Sequence, residues 1–100
     1  STLIKVNPNI PDFIIETVNA ILSEKINSTC KSCTIDTNEI MVHKIVRDYL
    51  INNNITREDI FKNNWLDFEP IFRKSGWIVE FNKLPYYDTD PDYFVFSIKE

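Results

Sequence analysis

A chain of 100 residues, 43% apolar and 13% aromatic, holds enough hydrophobic material for one packed domain and lies outside the composition of disordered segments. Its 11 basic and 15 acidic side chains leave a net charge of -4, which repels phosphate backbones at long range and counts against nucleic-acid binding. No apolar run approaches the ~20 residues of a membrane span, no signal-peptide pattern is present, and two cysteines in that setting fit a reducing cytoplasm.

Residues 1–100 read as a single domain, with an extended lead-in over 1–10, a helical part over 11–75 and a β-hairpin over 76–99. Pro11 fits the first turn of a helix, where its missing N–H is not needed, and Asp12 and Glu16 lie near the positive end of the helix dipole. Ile14, Val18, Ile21 and Leu22 recur on one helical face, predicting a first helix over 11–26. A short β-leaning run near 32–35 follows. Asp36 with Glu39 forms a capping-box pair, and Val42, Ile45, Val46, Tyr49 and Leu50 make the buried stripe of a second helix over 37–52.

Thr56 and Asp59 form another capping pair, opening a third helix that buries Ile60, Phe61 and Trp65. Pro70 is awkward inside a helix, so 57–65 and 68–75 are expected as two pieces, with Asp67 capping the second. Gly76 supplies the left-handed residue that closes it. Two strands end the chain. Trp77, Val79 and Phe81 share one face of the first, and Phe94, Phe96 and Ile98 share one face of the second, so the matched faces predict a half-buried ribbon. The predicted class is α+β and winged-helix-like, in the order α-β-α-α-β-β.

Several short patterns fail as chemistry. Cys30-x-x-Cys33 is half a zinc site without its other half, since His43 is the only histidine, and a helix precedes it where a redox motif needs a strand. Asp88-x-Asp90-x-Asp92 begins like a calcium loop, but Tyr93 and Lys99 stand where Gly and Glu are required. Asn27-Ser28-Thr29 and Asn54-Ile55-Thr56 match the glycosylation pattern and read better as polar residues flanking helices. His43 reads as a surface residue. One glycine excludes phosphate-binding and dinucleotide loops. No nucleophile has an evident base, so no catalytic residue, metal ligand or cofactor is assigned, and a non-enzyme is expected.

Two binding modes compete. In a winged helix the third helix enters the major groove; Arg57, Lys62, Asn63 and Asn64 could read bases, while Arg73, Lys74 and Lys83 could meet phosphates. Glu58, Asp59, Asp67 and Glu69 lie among them and oppose a polyanion. The alternative is a protein partner. Tyr86 and Tyr87 sit in a loop with Asp88, Asp90 and Asp92, combining aromatic anchors with charges that attract a basic surface. If both tyrosines fold back onto the hairpin, that reading loses its anchors.

The run Trp65-Leu66-Asp67-Phe68-Glu69-Pro70, then Gly76-Trp77-Ile78-Val79-Glu80-Phe81, then Phe94-Val95-Phe96, resembles small uncharacterised proteins of tailed bacteriophages. Ile10-Pro11-Asp12-Phe13-Ile14-Ile15-Glu16 is similar to their opening helix. The likeness covers about two thirds of the chain. It implies a phage origin and a host-cell cytoplasm setting, and no activity. The chain departs from the pattern at Asn82-Lys83-Leu84-Pro85, where a glycine-containing turn is more usual. The expectation is a non-enzymatic binding module for a host or phage protein, with nucleic-acid binding through the third helix as the alternative.

Overall fold

Helix α1 (Asp12–Lys25) buries Phe13, Ile14, Thr17, Val18, Ile21 and Leu22 along one side in a computed structural model that describes residues 10–98. The lead-in expected over 1–10 lies outside those residues except for Ile10, which is buried. Pro11 is the N-cap of α1, one position before the first turn in which it was expected. Thr17 is the one buried polar side chain among the described residues, and its hydroxyl donates to the Phe13 carbonyl at 2.7 Å, so no polar group is orphaned there.

Strand β1 (Ser32–Asp36) runs into α2 (Thr37–Met41) through the expected capping box. The Glu39 N–H donates to Asp36 Oδ1 at 2.7 Å, and the Asp36 N–H donates back to Glu39 Oε1 at 3.3 Å. Caps of this kind contribute about 1 kcal/mol. Lys25, in the last turn of α1, reaches across to Glu39 at 2.7 Å and donates to the Thr34 carbonyl, tying helix, strand and cap together.

The predicted second helix is two helices. After α2 the chain breaks at Val42, and α3 (Lys44–Asn53) starts afresh with His43 as its N-cap, whose Nδ1 accepts from the Ile45 N–H at 3.2 Å. Ile40 and Met41 are buried, as are Val46 and Leu50. On a continuous helix of 3.6 residues per turn those pairs point in different directions, and the break lets both reach the core. Val42, placed by periodicity in the buried stripe, is instead 62% exposed.

Helix α4 (Arg57–Lys62) has its Thr56–Asp59 capping box, and α5 (Glu69–Lys74) takes Pro70 in its first turn. The bend between them is as expected, but Phe68 and not Asp67 occupies the N-cap. Ile60 is fully buried, whereas Phe61, expected inside, is 56% exposed. Gly76 has φ +100, the left-handed turn out of α5.

Strands β2 (Trp77–Asn82) and β3 (Tyr93–Ile98) pair antiparallel as the expected hairpin, in a register that sets Val79 opposite Phe96 and Phe81 opposite Phe94. Strand β1 pairs with the other edge of β3, Cys33 opposite Phe96 and Ile35 opposite Phe94, giving the sheet order β1-β3-β2. The fold is therefore α+β: five helices and a three-stranded antiparallel sheet among the described residues. With each broken helix counted once, the order is the one expected.

The aromatic core has two centres. Phe13 stacks on Tyr49 with ring centroids 3.8 Å apart and meets Trp65 edge-on. Phe68 packs on Phe94, Phe96 and Phe72, all buried, beneath the central strand. Replacing Phe96 with Ala leaves a cavity against Phe68, Phe72 and Trp77 and should cost about 3–5 kcal/mol in denaturant unfolding. Ile78→Ala, on the more exposed sheet face, should cost under about 1 kcal/mol in the same measurement.

Candidate partner-binding site

The segment 83–92 joins β2 to β3 and is far longer than a tight hairpin turn. Its base is pinned twice by Asp92. One carboxylate oxygen accepts from the Leu84 N–H at 2.8 Å, closing the loop's neck, and its carbonyl accepts from the Thr37 N–H at 2.9 Å, tying the neck to the start of α2. Asp92 is accordingly half-buried and faces inward, unlike the other two loop aspartates. At the tip, the Asp88 N–H donates to the Pro85 carbonyl and the Asp90 N–H donates to Asp88 Oδ1 at 2.9 Å, so the acidic residues shape the turn as well as charge it.

Tyr86 and Tyr87 do not fold back. They are 99% and 76% exposed and meet each other edge-on with centroids 5.7 Å apart. Among the described residues the ion pair is Lys25–Glu39, at the C-terminal end of α1, and no lysine or arginine among them pairs with Asp88 or Asp90. The tip therefore presents two solvated rings flanked by uncompensated negative charge.

Beside the loop's base lies a cleft of about 170 Å³ whose lining residues include Ile60, Phe61, Phe81 and Phe94 and the acidic residues Asp67, Glu69 and Asp92. Phe61 and Phe81, both more than 40% exposed, are among its lining residues. Glu69 Oε1 is buried without a hydrogen-bond partner. Burial pushes the Glu69 carboxyl above its ordinary range; its own backbone N–H opposes the shift, the Asp67 charge adds to it, and Arg73 reduces it. Sequence reading treated Asp67 as a helix cap and both Asp67 and Glu69 as charges that oppose a polyanion. What turns Glu69 into part of a cleft is the hairpin folding over α5, a contact with no local signature.

The residues assigned to the nucleic-acid alternative sit in different local settings. Arg57 leans on the chain, its Nε 3.4 Å from the Met41 carbonyl, and Arg73 donates to the Val79 carbonyl at 2.6 Å, holding α5 against β2. Lys62 and Lys74 are exposed at the ends of short helices. Asn63 caps α4, its side-chain amide donating to the Asp59 carbonyl, and Asn64 is in the left-handed region at φ 56. A recognition helix reads bases with its N-terminal residues, and the N-terminus of α4 carries Glu58 and Asp59.

Cys30 and Cys33 are free thiols; burial pushes the Cys33 thiol up, with Lys25 opposing and Cys30 and Glu39 adding. A thiol held protonated is a poor nucleophile and metal ligand. Among the described residues no cluster of three or more His, Cys, Asp or Glu side chains could hold a metal ion, and no helix is long and apolar enough to cross a membrane. Comparison with protein-family models, with curated proteins and with solved structures finds no match for the chain.

The raised Glu69 carboxyl sets a pH dependence. The folded state favours the protonated acid, so its penalty is absent below the ordinary carboxyl range and grows as pH rises through the ordinary and then the raised value. Glu69→Gln removes that titration. Thermal midpoints from about pH 4 to about pH 8 should show the variant gaining on the wild type across this window, then a constant difference. A difference that stays flat throughout would mean Glu69 is not perturbed.

Proposed function

We propose that this chain is a non-enzymatic, winged-helix-like binding module of bacteriophage origin that acts in the host-cell cytoplasm on a host or phage protein. The contact surface is the hairpin tip, with Tyr86 and Tyr87 as anchors, Asp88 and Asp90 as the charges that draw in a basic partner, and Asp92 holding the loop's base. The observation that supports this most is the exposure of both tyrosines beside carboxylates that form no ion pair among the described residues. Tyrosine supplies a large contact area at low entropic cost, and a single-signed patch speeds encounter with the opposite sign. The phage setting rests on the sequence resemblance alone.

The alternative, a nucleic-acid-binding protein using the third helix, has weaker support. Arg57 and Arg73 are already engaged with carbonyls, and acidic side chains crowd the start of α4. Two measurements separate the readings. On the first, Tyr86→Ala with Tyr87→Ala, or Asp88→Asn with Asp90→Asn, loses about tenfold or more in capture of a stoichiometric partner from host lysate while the fold is kept. Random duplex DNA at low salt should then bind negligibly. Affinity for that DNA falling steeply with salt, together with capture indifferent to the tip, would overturn the proposal in favour of its rival.

A further inference from the structure

We propose that Arg73 closes one edge of the sheet, and that the strand it covers, β2, is a latent pairing surface for β2 of a second copy of the chain. In the order β1-β3-β2 the sheet has two outer edges. A free edge presents unpaired N–H and C=O groups and is a template for another strand. The inference is independent of the partner-binding reading above.

The ladder decides which backbone groups point outward. In an antiparallel pair, alternate residues turn both N–H and C=O toward the neighbouring strand, and the residues between them turn both away. The Ile98 N–H donates to the Lys31 carbonyl at 3.1 Å, on the β1 side, so Phe94 and Phe96 face β1 as well. Tyr93, Val95 and Ser97 therefore face β2, where their partners are Asn82, Glu80 and Ile78. On β2 this leaves Trp77, Val79 and Phe81 with their backbone groups directed out of the sheet. On β1 it leaves Ser32, Thr34 and Asp36.

The two edges are finished differently. On β1 the Ser32 carbonyl accepts from the Cys30 thiol at 3.3 Å, the Thr34 carbonyl accepts from Lys25 at 2.7 Å, and the Asp36 N–H donates to Glu39. Each outward residue of that edge has a backbone group engaged by the chain itself. On β2 the Val79 carbonyl alone is engaged among the described residues, by Arg73 Nη2 at 2.6 Å. Val79 is only 2% exposed although it lies on an outer strand, whereas its neighbours Ile78 and Phe81 are exposed. The covering is local to the middle of the edge, where Arg73 sits.

The outward set suits self-pairing. A twofold axis at Val79 sets that residue opposite its own copy and Trp77 opposite Phe81 of the second copy. Cross-strand aromatic pairs are favourable, and neither ring is fully covered within one chain. On the other face Ile78 meets Glu80, so the two Glu80 carboxylates are not set directly opposite each other. An axis at Glu80 would oppose them, and like charges there are destabilising. Pairing stops at two copies, because the enlarged sheet ends in a β1 edge on both sides.

The test compares the full chain with Arg73→Met, which keeps an aliphatic stem and removes the donors. Sedimentation equilibrium is run in ~0.15 M salt, where the like charge of two copies is screened, alongside amide hydrogen exchange. The wild type should be monomeric, with Trp77 and Phe81 amides exchanging fast and those of Ile78, Glu80 and Asn82 slowly. Arg73→Met should form a discrete dimer at least ~10-fold tighter than any wild-type association, and its Trp77 and Phe81 amides should gain protection as concentration rises. Lys25→Met, on an edge still held by Cys30 and Glu39, should stay monomeric. A wild-type dimer, a folded Arg73→Met that associates no more than the wild type, protection at other amides instead, growth past two copies, or equal association of Lys25→Met would each overturn the proposal. Slow Trp77 and Phe81 amides in the wild-type monomer would overturn it as well, and that measurement holds even if Arg73→Met does not fold.

Discussion

Strand β3 has a partner on each side, and that central position constrains everything around it. Hydrogen bonds to β1 fix one edge and hydrogen bonds to β2 fix the other, so Phe94 and Phe96 have no freedom to turn away from the helices. Phe68 fills the space under them, and Phe72 and Trp77 close its sides. The helical layer adapts to this fixed surface. The chain between α4 and α5 must bring Phe68 under the sheet, and the break between α2 and α3 turns Ile40 and Met41 inward beside Val46 and Leu50. A β1-β3-β2 sheet also joins the segment after α1 to the C-terminal hairpin, since β1 and β3 are far apart in sequence.

The same constraint explains why the tip can be exposed. A loop whose ends are clamped by paired strands needs no packing of its own to stay in place. Asp92 concentrates the restraint at the neck, through Leu84 and Thr37, and leaves Tyr86 and Tyr87 to solvent. Large apolar surface left in water costs free energy unless it is covered in use. A pinned neck also limits the entropy lost when the tip is ordered against a partner. A cleft with acidic and aromatic lining residues lies at the foot of the same loop.

Much of the fold was legible in the sequence because its signals were local. The caps at Asp36 and Thr56 involve residues three apart, and the hairpin faces follow from strict alternation, so both could be read without knowing the tertiary structure. The pairing of β1 with β3 could not, because nothing in Ser32–Asp36 names its partner. Val42 and Phe61 were placed inside by helical periodicity and lie outside, since periodicity assumes an unbroken helix and a single buried face. The tip's composition was legible, and its exposure was decided only by the fold. The cleft was invisible beforehand, because its walls come from α4, α5 and both ends of the hairpin loop. Asp92 had been read as a partner-facing charge and Asn64 as a base reader, and the others looked like ordinary cap, core or surface positions in their own neighbourhoods.

Native-state amide hydrogen exchange tests the central placement of β3 most directly. If the sheet and the Phe68 cluster form one cooperative unit, the hydrogen-bonded amides of Tyr93–Ile98 should be the slowest in the molecule and open only with global unfolding. The amides of Tyr86, Tyr87 and Thr89 should exchange nearly freely. Exchange of β3 through a smaller local opening, with slower amides in α1 or α3, would show that the helices hold the molecule together and that the sheet is only laid upon them.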